Sequence, residues 1–196
     1  MNSLSPEILL DLYKRGIFPM ADPFDGSLDF YDPDWRAIIP LENYKPPKSL
    51  RPILKSNLFE VKFNTCFERV MLYCKHTRPE LEQWISDDMI FLYTELHRQG
   101  NAHSVEVFKE GELVGGLYGV QVGAVFMGES MFHIYPNASK IAFHHLIERL
   151  KQQDFKLLDS QIINGFTQKL GAIEIPRKEF KILLNEAIKI KRAFIN

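Results

Sequence analysis

A disulfide framework is excluded at the outset, because Cys66 and Cys74 are the only cysteines and lack CxxC spacing. On a helix-like segment they read as buried thiols. No uninterrupted apolar run approaches the roughly 18 residues of a membrane-spanning helix. The opening Met1-Asn2-Ser3-Leu4-Ser5-Pro6 has no basic region followed by an apolar block, so the expected location is the cytoplasm, with no membrane partner. A net charge of −1 argues against a chain that coats nucleic acid as a polyelectrolyte, while a localised basic patch remains open. No metal-spaced cluster occurs. His144 and His145 are adjacent on a helical pattern, so they point about 100° apart and cannot share an ion easily. The Arg/Gln-x-x-Gly-x-Gly string of a pyrophosphate-binding turn is also missing, and Val122-Gly123-Ala124 is a weak substitute. No metal and no organic cofactor is therefore expected. Neither an internal repeat nor a low-complexity tract is present.

What is present suffices for a sizeable core: 45% of the 196 residues are hydrophobic and 25% charged. That suits one large domain, or a compact domain with a smaller appendage. The organising stretch is Gly100 to Lys140. His103 to Phe108 alternates as a half-buried strand, Glu110-Gly111 turns, and Glu112 to Gln121 returns. Gly115, Gly116 and Gly119 weaken that second strand unless another backbone or a ligand approaches closely. After Gly123, Ala124 to Met127 reads as a short strand that delivers Gly128-Glu129-Ser130-Met131-Phe132 to a strand end.

Before this stretch, Ser5-Pro6-Glu7 caps a helix that Gly16 ends. Residues 17–33 read as a loop rich in proline, aspartate and aromatics, either resting on its own aromatic anchors or forming a binding surface. Lys45, Lys48, Arg51 and Lys55 would share one face of a helix that Pro46, Pro47 and Pro52 keep short. Phe59 to Phe63 is a strand, and Asn64 or Thr65 should cap a helix through Cys74. Ser86 caps another helix, closed by Gly100, with Met89, Ile90, Leu92, Tyr93 and Leu96 on its apolar face. Asn137 to Gln153 is helical, and Lys156 to Asp159 is a buried strand running into Ser160 to Asn164. The strand, helix and strand form a β-α-β unit with a parallel pair. Pro176 opens the last helix. The fold class is α+β. A meander with helices, then β-α-β, resembles the N-acyltransferase fold of the acetyltransferase superfamily, with residues 1–35 as a small N-terminal appendage and residues 36–196 as the catalytic domain.

Asp159 and Gln161 are two apart, so in extended chain they face one side. By residue type alone Asp159 could equally cap a turn, and Glu129 could be a satisfied semi-buried acid.

Gly115-Gly116-Leu117-Tyr118-Gly119-Val120, Gly128-Glu129-Ser130-Met131-Phe132 and Ala138-Ser139-Lys140 resemble the leucyl/phenylalanyl-tRNA–protein transferase family. So do Leu158-Asp159-Ser160-Gln161, Leu170-Gly171-Ala172, Ile175-Pro176-Arg177, Arg15-Gly16-Ile17-Phe18-Pro19 and Trp84-Ile85. The resemblance implies a monomeric aminoacyltransferase that moves Leu, Phe or Met from aminoacyl-tRNA to proteins or peptides beginning with Arg or Lys, marking them for degradation. It implies Asp159 and Gln161 as catalytic residues, and Glu129, Asn164, Trp84 and Tyr93 as acceptor-binding residues. It further implies Leu117, Phe126, Phe143, Leu146, Leu150 and Leu158 as the amino-acid pocket. Tyr13, Met20, Lys48, Arg51 and Lys55 would meet tRNA. Asp159 would receive the amine's proton, so that Asp159→Asn removes the base and leaves melting unchanged. Several positions depart from the family pattern. A Gly-Gly-Asp segment at the N-terminus is missing, Met20 stands where tryptophan is frequent, and Phe30-Tyr31-Asp32-Pro33 replaces Trp-Trp-Ser-Pro. His133 replaces serine and Phe166 replaces histidine. Two other readings follow: a tRNA- or peptide-binding relative without catalysis, and an acyl-CoA N-acyltransferase.

Overall fold

The computed structural model describes residues 4–195. In chain order its elements are α1 (Pro6–Lys14), β1 (Phe18–Ala21), β2 (Leu28–Tyr31), β3 (Trp35–Ile39), α2 (Arg51–Leu54), β4 (Glu60–Phe63) and α3 (Phe67–His76). There follow α4 (Asp87–Arg98), β5 (Ala102–Lys109), β6 (Glu112–Val122), β7 (Val125–His133), α5 (Ala138–Gln152), β8 (Leu157–Gln161), α6 (Gly165–Lys169), β9 (Ile173–Pro176) and α7 (Arg177–Ala187).

The expected helix starts form for the expected reasons. Ser5 Oγ accepts the Ile8 amide at 3.3 Å to cap α1, and Ser86 Oγ accepts the Met89 amide at 3.2 Å to cap α4. Helix α3 differs. Its N-cap is Cys66, without a side-chain cap bond, because Asn64 and Thr65 are used elsewhere. Asn64 Oδ1 accepts the Ser104 amide at 2.9 Å, and Thr65 Oγ1 donates to Glu106 at 3.1 Å.

Seven strands form one sheet in the order β4-β5-β6-β7-β8-β3-β9. Every pairing is antiparallel except β7 with β8, which α5 joins as the predicted β-α-β unit. Residues 17–33 are not one loop. They contain the antiparallel hairpin β1–β2. Strands β3 and β9 are likewise absent from the sequence reading. The first of them lies between β8 and β9 and carries Arg36 into the interior.

Helices α1, α3, α4 and α7 cover one face of the sheet, with Leu9, Tyr13, Met71, Tyr93 and Phe180 in a common core. Helix α5 covers the other through Ile141, Leu146, Ile147 and Leu150, packed with Leu117, Phe126 and Leu158. Gly115 is required by this packing: a Cβ there would lie 2.5 Å from the Ala138 Cβ at the start of α5. The close approach anticipated at the β6 glycines is thus made by protein.

Candidate active site

Strands β7 and β8 pair only from Val125–Met127 to Leu157–Asp159. Beyond that point a cavity of about 360 Å³ occupies the interval between them, lined by Gly128 to Met131 on one side and Leu158 to Gln161 on the other. Both strands are irregular where they meet it. Tyr118 pairs with Ser130 and Gly119 with Gly128, which leaves Glu129 as an extra, bulged residue. Ala37 pairs with Gln161 and Ile38 with Asp159, so Ser160 is extra in the same way, and Gln161 takes a left-handed φ of 63°. A bulge breaks simple alternation and re-aims the side chains around it. Glu129 therefore sits inside a long strand rather than at the strand end expected from sequence.

The two bulges face each other through their side chains: Gln161 Nε2 donates to Glu129 Oε1 at 2.8 Å. Tyr93 donates to the other Glu129 oxygen at 3.4 Å, and its hydroxyl also bonds that of Tyr13. Burial pushes the Glu129 carboxyl up to about 8, with the hydrogen bond from Tyr13 pulling it down and the Asp159 charge pushing it up. Tyr93 and Tyr13 stay protonated, since burial raises both well above the usual phenol range.

Asp159 is fully buried, and its oxygens are already engaged. Oδ1 accepts from Arg36 Nε at 2.8 Å and from the Gln161 amide at 2.8 Å, while Oδ2 accepts from Arg36 Nη2 at 2.6 Å. The Arg36 guanidinium lies 4.6 Å from the ring centroids of both Phe18 and Phe180, and Nη1 donates to Gly16 O at 3.1 Å. This is a bidentate, aromatic-clamped ion pair. Both oxygens are thus held by protein groups, where the sequence suggests a carboxylate free to act as base. What the geometry has it do is hold the backbone of Gln161.

Of the expected apolar pocket, Leu117, Phe143, Leu146 and Leu158 line the cavity, joined by Ile39, Met131 and Leu170. Phe126 and Leu150 do not. Phe126 belongs to the segment where β7 and β8 still pair, and stacks at 5.4 Å on Phe194. Leu150 is one helical turn beyond Leu146 and is wholly buried in the core.

Trp84 and Met20 reach the cavity as half-buried side chains. Asn164 also lines it, but its Oδ1 is committed to capping α6, accepting the Phe166 and Thr167 amides at 2.9 Å each. Tyr13 is completely buried against Tyr93, which corrects its placement among tRNA contacts. Lys48, Arg51 and Lys55 are exposed on and beside the four-residue α2, away from the cavity lining. Phe166 lines the cavity, whereas exposed His133 ends β7 beside Ser139.

Arg36, Arg78 and Ser130 were missed. A signal for Arg36 existed, since it is a lone charge in the run Trp35-Arg36-Ala37-Ile38-Ile39. Among the described residues no group of three or more His, Cys, Asp or Glu is placed to ligate a metal. Gly123 serves packing: a Cβ there would lie 2.4 Å from Ile188 O, and the Ala124 amide donates to Ala187 O at 3.0 Å. The turn docks the end of α7.

In fold, the chain resembles the crystal structure of FemX, with a TM-score of 0.53 over 90% of this chain and 70% of that one at 11% identity. The likeness is one of fold, and the α+β class is the one expected. The family described as leucyl/phenylalanyl-tRNA protein transferase matches residues 38–185, and its N-terminal domain matches residues 2–34. A leucyl/phenylalanyl-tRNA–protein transferase of Chlorobium limicola is 47% identical over 188 residues, 95% of this chain and 97% of that protein. One from Rubrobacter xylanophilus is 43% identical over 192 residues, 97% of this chain and 98% of that protein. Across nearly its whole length, then, the chain belongs to the leucyl/phenylalanyl-tRNA protein transferase family.

Proposed function

We propose that this protein takes Leu, Phe or Met from aminoacyl-tRNA and joins it to the α-amine of proteins that begin with Arg or Lys, marking them for degradation. It acts as a cytoplasmic monomer, with residues 1–35 as an N-terminal segment and residues 36–196 as the catalytic domain. The observation that carries this reading is the Glu129–Gln161 bridge across the β7–β8 interval, in a cavity lined by both apolar and polar side chains.

The chemistry needs little more than positioning, because the ester is already activated. The amine nitrogen bonds to the ester carbonyl carbon, and the carbon–oxygen bond to the ribose breaks. The nitrogen sheds one proton and the departing ribose oxygen gains one. Leu117, Phe143, Leu146 and Leu158 receive the transferred side chain. Glu129 holds the acceptor amine and takes its proton, a role suited to a carboxyl poised at about 8. Gln161 orients both groups, fixed in its left-handed conformation by Asp159 and, behind it, Arg36. Trp84, Tyr93 and Asn164 border the acceptor. Met20 and the Lys48, Arg51 and Lys55 patch meet the tRNA.

The test is transfer of labelled leucine from charged tRNA to a panel of peptides that differ only in the first residue. Incorporation into Arg- and Lys-starting peptides is expected. Labelling confined to other N-termini would overturn the acceptor assignment, and a lack of any labelling would leave a binding protein without catalysis.

A further inference from the structure

The cavity wall includes a cation that the transfer chemistry described above does not use. Arg78 follows the C-terminal end of α3, half-buried, with its guanidinium 6.0 Å from the Trp84 ring centroid. Its Nη2 donates to Ser130 Oγ at 3.1 Å, and its own carbonyl accepts Gln83 Nε2 at 3.1 Å, which pins the segment leading to Trp84. Its Nε is buried without a partner, and so is the hydroxyl of Tyr118, another cavity-lining residue. Those two atoms are closed off even from water, but Nη1 of the same guanidinium is not, and it has no hydrogen-bond partner among the described residues, so an oxygen in the cavity can reach it.

Which oxygen follows from the position of Ser130. It is the residue after Glu129, and both line the cavity. Within an amino acid, the amine nitrogen and the carbonyl oxygen of the same residue are about 3 Å apart. An acceptor whose amine rests on Glu129 carries its first backbone carbonyl in the same cavity, whose wall includes the guanidinium held by Ser130. A phosphodiester of the donor is separated from the ester by the width of a ribose, and would have to enter beside the nucleophile to reach the same point.

We infer that Arg78, steadied by Ser130 and Trp84, is the subsite for the first backbone carbonyl of the acceptor polypeptide. The inference rests on the transfer reading for the identity of the acceptor. The subsite reads backbone, not side chain, so it orients any acceptor's amine without choosing among N-terminal residues. It also places a fixed positive charge near the amine, which favours the neutral, attacking form.

The test is equilibrium binding of an Arg-starting peptide and of its analogue with an alkene in place of the first peptide bond, measured calorimetrically on the wild type, Arg78→Ala and Arg78→Lys. A hydrogen bond to a charged donor implies about a tenfold or greater preference of the wild type for the natural peptide. In Arg78→Ala that preference should collapse to near unity, with Arg78→Lys intermediate. A preference that survives in a folded Arg78→Ala protein overturns the inference. So does wild type that does not distinguish the two peptides, or a variant that weakens binding of Leu-tRNA and leaves the peptide ratio intact. Binding is read without transfer: the expected ratios in a protein that labels no peptide would sink the transferase reading and leave the subsite standing.

Discussion

Asp159→Asn would be a clean removal of a base if that carboxylate were free, but here it breaks a buried ion pair and strands Arg36 between Phe18 and Phe180. Removing one partner of such a pair costs about 3–5 kcal/mol, so melting should fall by on the order of 10 °C, measured by calorimetry or circular dichroism. Asp159→Leu combined with Arg36→Met removes the ion pair and the acceptor of the Gln161 amide together, so it should keep much of the stability without supporting transfer. Recovery of full activity in that double variant would show that Asp159 and Arg36 position nothing. Glu129 yields a prediction of another kind. Its carboxyl stands at about 8 in the folded protein against an ordinary 4.5, so between those values the unfolded chain releases a proton that the folded one keeps. Stability from this group is complete below the lower value and is lost as pH rises through the upper one. Thermal melts from about pH 5 to about pH 8 should therefore decline less steeply in Glu129→Gln than in the wild type. In transfer, carboxyl and amine must each lose a proton. The logarithm of kcat/KM should rise below about pH 8 with slope near two in the wild type and near one in Glu129→Gln. Equal slopes would remove Glu129 from the proton path.

At the scale of elements, the decisive feature is that two neighbouring strands stop pairing and each carries a bulge where they do. The strand at His103 to Phe108 was legible because nothing interrupts the β5–β6 pairing there until Val107, but it is buried on both faces through Val107, not half-buried as its alternation suggested. The same rule misplaced Glu129 at a strand end, since a bulge inserts a residue without leaving a mark in composition. It also missed β1, β2, β3 and β9, and length is not the reason, since the four-residue β4 was read. Helix α2 illustrates the reverse. Three prolines predicted a short helix, and the four residues that form carry only Arg51 of the basic cluster, with Lys48 and Lys55 exposed on either side. Replacing all three by alanine should weaken tRNA binding and reduce the slope of log K against log salt by about two to three, read from filter binding or fluorescence across a salt series. An unchanged slope would make the patch a solvated face.

Across the whole molecule, the far end of the chain supports the site from behind. Phe194 is nearly wholly buried against Phe126, His103, Phe63 and Phe155, and Gln121 Nε2 donates to Arg192 O at 2.7 Å to hold the segment in place. Phe194→Ala should cost about 3–5 kcal/mol and loosen the Phe126 wall behind the pocket, measured by denaturant titration. A loss under about 1 kcal/mol would mean that the cluster closes without it. This long-range support, like the Arg36–Asp159 pair 123 positions apart, has no trace in local pattern. The sequence by itself determined what is local or cumulative: helix caps at Ser5 and Ser86, the β-α-β unit, the glycines that let α5 approach β6, the absence of a pyrophosphate string, and a set of motifs ordered along nearly the whole chain. Only the tertiary structure decided what surrounds each carboxylate. Asp159 and Glu129 are the same kind of group in a sequence, and what separates them is a guanidinium delivered by a distant strand to one and burial among phenols and an amide imposed on the other.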